Sequence, residues 1–461
     1  MIDNAPPSGS AAGSDVSPLV ILATAGTRGD LLPFMALAQG LRDRGRRVLM
    51  LVPGLHEAAM QASGLAYRTF GTLEQGQKLL ENPDLWDERK GLGVIWNSLV
   101  LKLEALHQVI QGLPDHESCV VLSHPLLVPM AALARSVRPH LRIVAACLAP
   151  SNVCSSHDML TAGSLPIPRW VPLAWRQALW RAIHKVWVDP AILPSLNAVR
   201  ARFELPPVPG FVEHMLKAPN ASVGLFPQWF ASMQPDWPQP FTEGDFVSAP
   251  ADAQPSLPPD LEKFLSDGDR PIVFTPGTGH RHAARYFSAA ATVLSRLGRR
   301  GVFVTPYPSQ VPDPLPGNVF WQAQVPFSAL LPRAAAVVHH GGIGTTAESF
   351  RAGIPQLIVP FAYDQFENGR RAKRMGVADV LLAKRLSSRR MQKQLARLLV
   401  APEVRQACDA VARRMAQKPD PAWLLDRIEA ALFHSQPEAG PSPSSPLEDH
   451  VQPAMNPIDL I

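Results

Sequence analysis

Short apolar runs alternate along the chain with stretches of helical periodicity, and this rhythm is the first indication of how the chain folds. Leu19 to Ala23 is an apolar run of strand length. It is followed by the loop Thr24 to Asp30 and by apolar residues at helical spacing from about Leu32 to Arg44, where Gly45 stops the helix. Arg47 to Val52 reads as the next strand, so the chain opens with a β–loop–α–β unit that belongs in a parallel sheet. Cys119 to Leu122 and Arg142 to Cys147 add strands. The stretch Pro166 to Pro190 stands apart, with Trp170, Trp175, Trp180 and Trp187 set among Arg169, Arg176, Arg181 and Lys185, and is predicted to be helical. From about Gln234 to Leu261 prolines cluster without periodicity, as in a connection between domains. The βα rhythm then resumes, with strands predicted at Pro271 to Phe274, Gly301 to Thr305, Ala336 to His339 and Gln356 to Val359.

The pattern predicts an α/β protein of two Rossmann-like domains, each built on a parallel sheet. Residues 18–235 form the first domain, 236–262 the linker and 263–433 the second domain, with 1–17 and the proline-rich tail 434–461 disordered. A length of 461 residues agrees, because a single core rarely serves so long a chain. With 46% hydrophobic and 18% charged residues the composition is that of a globular protein. No apolar run approaches the roughly 18 residues that span a bilayer, and the first residues lack both a basic start and an apolar segment. Four scattered cysteines have no metal-type spacing. A cytoplasmic protein is expected, with the inner face of the membrane as a peripheral contact. The net charge of +5 suits anionic partners, but the basic residues are dispersed and not interleaved with stacking aromatics, which argues against nucleic acid.

The main chemical signal is Val337-Val338-His339-His340-Gly341-Gly342-Ile343-Gly344-Thr345-Thr346-Ala347-Glu348, an apolar strand running through glycines into a helix. Such a loop aims backbone N–H groups and the positive helix end at an anion, and glycines admit a diphosphate close to the backbone. Thr345 and Glu348 match a capping box, and His339 is positioned to donate to a phosphate oxygen. A strand-to-helix turn whose glycines merely permit tight geometry is the plainer reading. About twenty residues on, Asp364-Gln365 follows the strand Gln356 to Val359. There, beyond a strand's carboxyl end, an acid and an amide suit the vicinal hydroxyls of a sugar, or simply cap a helix.

Glycine loop, helix, strand and Asp-Gln together resemble the donor-binding signature of family 1 glycosyltransferases, which have the GT-B fold: two Rossmann-like domains facing across a cleft. Ala25-Gly26-Thr27-Arg28-Gly29-Asp30-Leu31-Leu32-Pro33 resembles the N-terminal loop of sterol, macrolide and glycopeptide glycosyltransferases. Within the family, Asp84-Leu85-Trp86-Asp87, Gly93-Val94-Ile95-Trp96, Leu225 to Phe230 and Asp236-Trp237-Pro238 are similar to the bacterial rhamnosyltransferase that builds rhamnolipids. The resemblance implies inverting, metal-independent transfer from a dTDP- or UDP-sugar to a hydrophobic, hydroxyl-bearing acceptor, with no cofactor. It implies Asp30 as general base, although Asp30 also suits a helix cap. The leaving diphosphate would be held by His339, by Gly342, Gly344 and Thr345, and by Gly277-Thr278. Asp364 and Gln365 would grip the sugar, and Val325 and Trp321 the nucleobase. Plant relatives support a histidine base with a buried aspartate, whereas Val121 to Pro125 offers Ser123 and His124 without an acid, so Asp30 acts alone or with His124.

The favoured sugar is L-rhamnose and the favoured acceptor a hydroxy-fatty-acid-type lipid. A sterol, polyketide or other aglycone is the alternative, and a non-catalytic nucleotide-sugar-binding partner of another transferase is a third. A dehydrogenase fits poorly, since Gly26 and Gly29 do not complete G-x-G-x-x-G. Asp267-Gly268-Asp269 matches a metal-binding D-x-D but reads better as a turn, so no metal is expected. His280, Arg281 and His282 read as a solvated loop or as phosphate contacts. The Trp-rich stretch reads as core packing or as a lipid-facing surface.

Overall fold

The computed structural model describes residues 17–247, 256–417 and 420–434. The ends expected to be disordered fall, apart from residues 17 and 434, outside the described residues. The first sheet contains β1 (Leu19–Ala23), β2 (Val48–Pro53), β3 (Tyr67–Phe70), β4 (Cys119–Ser123) and β5 (Arg142–Cys147). A small hairpin, β6 (Thr161–Ala162) and β7 (Leu165–Pro166), precedes β8 (Ala221–Gly224) and β9 (Phe241–Thr242), and the seven-stranded order is β3-β2-β1-β4-β5-β8-β9. The second sheet has β10 (Ile272–Thr275), β11 (Gly301–Val304), β12 (Val319–Gln322), β13 (Ala336–His339), β14 (Gln356–Ile358) and β15 (Ala378–Val380), ordered β12-β11-β10-β13-β14-β15. Every pairing within these two sheets is parallel. Runs such as LVILA and GVFV are buried throughout because helices cover both faces, which is why they are uniformly apolar and do not alternate.

Strand order reverses beside β1 and β4 in the first sheet and beside β10 and β13 in the second. At such switch points the loops leaving neighbouring strands diverge and open a crevice at the carboxyl ends. The loops after β1, β4, β10 and β13 therefore form two crevices, which meet in one cleft.

Three boundaries differ from the sequence expectation. The first helix runs Arg28–Asp43, with Pro33 inside it, and starts before Leu32 because Thr27 and Asp30 cap it reciprocally. The linker 236–262 is not a uniform connection: Phe241–Thr242 pairs with β8, and the helix Pro259–Ser266 buries Leu261 and Leu265 beside the second sheet. Between its prolines, Trp237, Phe241 and Phe246 bury with Phe226 and Phe230, which anchors the segment. The last helix, Pro421–Phe433, returns to the first sheet although its chain position continues the second domain. Its Leu424, Ile428, Ala431 and Leu432 lie on one face and pack with Leu22, Val120, Val144 and Val223. Arg44 and Arg46 hold Glu429 at 2.7 and 2.6 Å on the same strap.

The two halves also meet beside the cleft. Trp86 packs edge-on against His280 and Tyr363, with ring centroids 5.3 and 5.8 Å away, and the Tyr363 hydroxyl donates to the Leu85 carbonyl. Arg281 pairs with Glu81 at 2.7 Å. Arg371, almost fully buried, bridges Glu367 and Asp158 at 2.6 and 2.7 Å.

Ile428 is fully buried against the first sheet, so Ile428→Ala is expected to cost about 2–5 kcal/mol of stability, read from urea midpoints. A cost below about 1 kcal/mol would contradict the strap.

Candidate active site

A cavity of about 1860 Å³ lies between the sheets and is lined by the loop Ala25 to Asp30, His124, Gly277, Thr278, His340, Gly342 to Thr345, Asp364 and Gln365. Of the residues expected at the site, Asp30, Gly277, Thr278, Val325, Gly342, Gly344, Thr345, Asp364 and Gln365 all line it. His339 and Trp321 do not. Trp321 donates its Nε1–H to the Thr305 carbonyl at 3.1 Å and packs, partly buried, against the second core, outside that lining.

His339 is replaced at the cavity by its neighbour. It is the last residue of β13, pairs in register with Thr275 and Ile358, and is completely buried. Its Nδ1 accepts from the Gly341 N–H at 3.1 Å, so Nε2–H donates to Gln356 Oε1 at 2.9 Å. Both ring nitrogens are engaged. His340, one residue beyond the strand, turns to the opposite side and lines the cavity, with Nδ1 buried and unpartnered among the described residues. Burial, and then the nearby His339 and His280, push its pKa down to about 3, so its ring is neutral at ordinary pH.

The glycines make room for that ring. A Cβ at Gly277, where φ is +88°, would come within 2.9 Å of the His340 imidazole, and one at Gly342 would collide with its Nε2. Any side chain at either position would displace the histidine. The helix Ile343–Ala352 begins directly after Gly342, with no side-chain hydrogen bond capping its first turn. The expected capping box of Thr345 and Glu348 is therefore absent: the helix starts two residues before Thr345, and Glu348 pairs with Arg351. The first-turn N–H groups and positive helix end border the cavity, an arrangement that attracts an anion.

Asp30 and Asp364 approach this space from opposite domains. Asp30 Oδ2 accepts from the Thr27 N–H at 2.8 Å, so the residue is at once a helix cap and a cavity wall. Burial pushes its carboxyl up to about 6 against the lowering pull of the Thr27 hydrogen bonds. Asp364, the residue before the helix Gln365–Arg374, accepts from Asn368 Nδ2 at 2.7 Å. Burial first, and then the charge of Asp30, push its carboxyl up to about 7. Gln365 Oε1 accepts from the Phe361 and Ala362 N–H groups at 2.9 and 3.2 Å, which fixes the amide beside Asp364. His124 lines the same cavity with Nδ1 accepting from the Leu126 N–H at 3.2 Å, and burial lowers it to about 4.

The first-domain wall beyond Asp30 is apolar, formed by Leu92, Ile95, Leu99, Leu126, Phe211 and Met215 among others. Sequence reasoning missed His340, Trp86, Glu348 and Arg28, all of which line the cavity. Arg28 reaches across it to the Gln324 oxygen at 2.9 and 3.1 Å once that amide is oriented to accept. The segment His280 to His282 does not line the cavity and is solvated only in part: His280 is buried against Phe361, while the half-buried Arg281 and the exposed His282 hold Glu81. Asp267-Gly268-Asp269 is a turn at a helix end, with Gly268 at φ +148°. Among the described residues no three His, Cys, Asp or Glu side chains gather as a metal site.

The glycosyltransferase family 28 N-terminal domain matches residues 20–121, and the erythromycin biosynthesis protein CIII-like C-terminal domain matches residues 308–431. O-mycaminosyltylonolide 6-deoxyallosyltransferase of Streptomyces fradiae is 30% identical over 372 residues, covering 78% of this chain and 84% of that protein. Among solved structures, the glycotransferase of kitacinnamycin aligns with a TM-score of 0.68 at 19% identity, over 90% of this chain and 99% of that one. Spinosyn rhamnosyltransferase SpnG, complexed with thymidine diphosphate, aligns with a TM-score of 0.61 at 17% identity, over 89% of this chain and 100% of that one.

His340→Ala is expected to weaken thymidine diphosphate binding by about 1.5–3 kcal/mol, the scale of a hydrogen bond to a charged group. His339→Ala is expected to act mainly on stability. Calorimetric titration beside thermal melts separates the two, and the reverse ranking for nucleotide affinity would restore His339 to the cavity.

Proposed function

The chain belongs to the family 1 glycosyltransferases of GT-B fold, and on that premise we propose that it transfers a hexose from a dTDP- or UDP-sugar to a hydroxyl of a hydrophobic acceptor, with inversion and without a metal ion. L-rhamnose is the favoured sugar and a hydroxy-fatty-acid-type lipid the favoured acceptor. The observation that carries this reading is the composition of one cleft: an apolar wall ending at Asp30 on one side, and an uncapped helix N-terminus with His340 and Asp364 on the other. The thymidine diphosphate of the spinosyn enzyme's complex supports a dTDP-sugar.

Asp30 takes the proton of the acceptor hydroxyl as its oxygen attacks the anomeric carbon. The bond from that carbon to the diphosphate breaks, and the leaving oxygens keep the electron pair. The negative charge that develops there is met by the N–H groups of Gly342, Gly344 and Thr345, by Gly277-Thr278 and by His340. Asp364 and Gln365 hold the sugar hydroxyls, and Val325 lies against the nucleobase. A carboxyl near 6 suits Asp30 as a base, since it is ionised at neutral pH yet basic enough to take a proton.

A second reading keeps this chemistry and replaces the acceptor with a sterol, polyketide or other aglycone. It is favoured by the relative at 30% identity, which acts on O-mycaminosyltylonolide. Measured turnover with any acceptor excludes a non-catalytic nucleotide-sugar-binding partner. Incubation with dTDP-L-rhamnose and a 3-hydroxyacyl lipid, followed by mass spectrometry, tests the favoured pairing. Glycosylation of a polycyclic aglycone with no lipid product would select the second.

Asp30→Asn is expected to lower turnover by roughly two to four orders of magnitude, the scale of general-base catalysis, with nucleotide affinity nearly unchanged. In the wild type kcat/KM should fall as pH drops through about 6, because protonation removes the base. Unchanged turnover, or a profile without that limb, would remove Asp30 from the mechanism. Activity should also survive a chelator; loss with EDTA and recovery with a divalent ion would refute metal-free transfer.

A further inference from the structure

The Trp-rich stretch was expected to pack in the core or to face lipid, and the structure turns most of it outward. Six of the eleven exposed large hydrophobic side chains among the described residues fall between Leu165 and Trp187. Trp170 is 81% exposed, Trp175 73% and Trp187 56%, and the helix Leu173–Ile183 buries none of its residues. Trp175, Leu179, Ala182 and Val186 recur at spacings of four, three and four, which aligns them as one outward stripe. Arg181 and Lys185 border that stripe, and no Asp or Glu occurs between Asp158 and Asp189.

The inner side of the same helix differs. Trp180 donates from Nε1 to the Ser155 carbonyl at 3.0 Å and stacks on His184. Trp180, Ile183, His184 and Val188 line the cavity. One turn of chain therefore separates the acceptor wall from the exposed apolar stripe.

We infer that the outward face of residues 165–187 docks on an anionic lipid bilayer. Exposed tryptophans beside cations, in a stretch that carries no acid of its own between Asp158 and Asp189, match the headgroup region, where amphipathic rings and positive charges are both stabilised. No helix among the described residues is long and apolar enough to cross a membrane, so the attachment is peripheral. Docking rests on this surface and not on the identity of the acceptor. If the lipid acceptor is correct, the inner side of the helix gives an acyl chain a short apolar route from bilayer to Asp30.

Flotation of the full chain with phosphatidylcholine vesicles, with and without phosphatidylglycerol, tests the inference. The protein should float with the anionic vesicles, bind the zwitterionic ones far less, and be released by salt. The Arg181→Glu/Lys185→Glu and Trp175→Ser/Trp187→Ser pairs should each lower partitioning about tenfold or more with thymidine diphosphate affinity unchanged. Trp170→Ser, in the turn before the helix, gives a third readout that leaves the helix intact. Absence from anionic vesicles, binding unaffected by these variants, or loss of self-association on Trp175→Ser in place of loss of lipid binding would overturn it. Lost docking with turnover intact on a detergent-dispersed acceptor would leave the transfer reaction standing.

Discussion

Two carboxylates from different domains share one poorly solvated cleft, and the organisation of the site follows from the free energy needed to keep them there. In water Asp30 and Asp364 would both ionise near 4; in the cleft they are lifted to about 6 and about 7. The lift is an energetic cost that the fold sustains through contacts elsewhere: the reciprocal cap of Asp30 with Thr27, the Asn368 bond to Asp364, and the clasp of Trp86 and Leu85 against Tyr363 and His280. Closing the halves excludes water, and excluding water makes both the helix N-terminus and the carboxylates stronger electrostatic elements.

Much of this arrangement was legible in the chain. Apolar runs of four to six residues separated by helical segments imply buried parallel strands, and a parallel sheet places its loops at the carboxyl ends, where glycines and acids then acquire meaning. The misplaced histidine marks the limit of that reasoning. In a sheet covered on both faces every strand position is buried, so ending the strand at His339 does not say which of the two histidines reaches the cleft. Only the ladder, pairing His339 with Thr275 and Ile358, decides it. The sequence does hold a clue: Gln356, a polar residue inside a buried strand, needs a partner, and His339 is that partner.

The last helix and the linker were misread for a related reason. Chain continuity assigned the segment 421–433 to the second domain, yet Leu424, Ile428 and Leu432 find their apolar neighbours on the first sheet. Prolines around Trp237 and Phe241 suggested open chain, whereas the aromatic residues between them bury and carry a short edge strand. Of the two readings of the Trp-rich stretch, core packing failed in the opposite direction. Tryptophan is ordinarily well buried, and only the outward aspect of its helix reveals that three of the four rings have no core to enter.

A double-mutant cycle on Asp30→Asn and Asp364→Asn tests the facing of the two carboxylates directly, read as unfolding free energy in the nucleotide-free protein. Both folded-state pKa values lie above the ordinary carboxyl value of 3.8. Between that value and about 7 the folded chain holds protons that the unfolded chain has released, so stability falls as pH rises through the window. At about pH 8 each single substitution should relieve repulsion, and the pair should gain less than the sum by about 0.5 kcal/mol or more, a coupling that vanishes near pH 4. Strictly additive effects at both pH values would contradict a shared cleft and, with it, the catalytic reading.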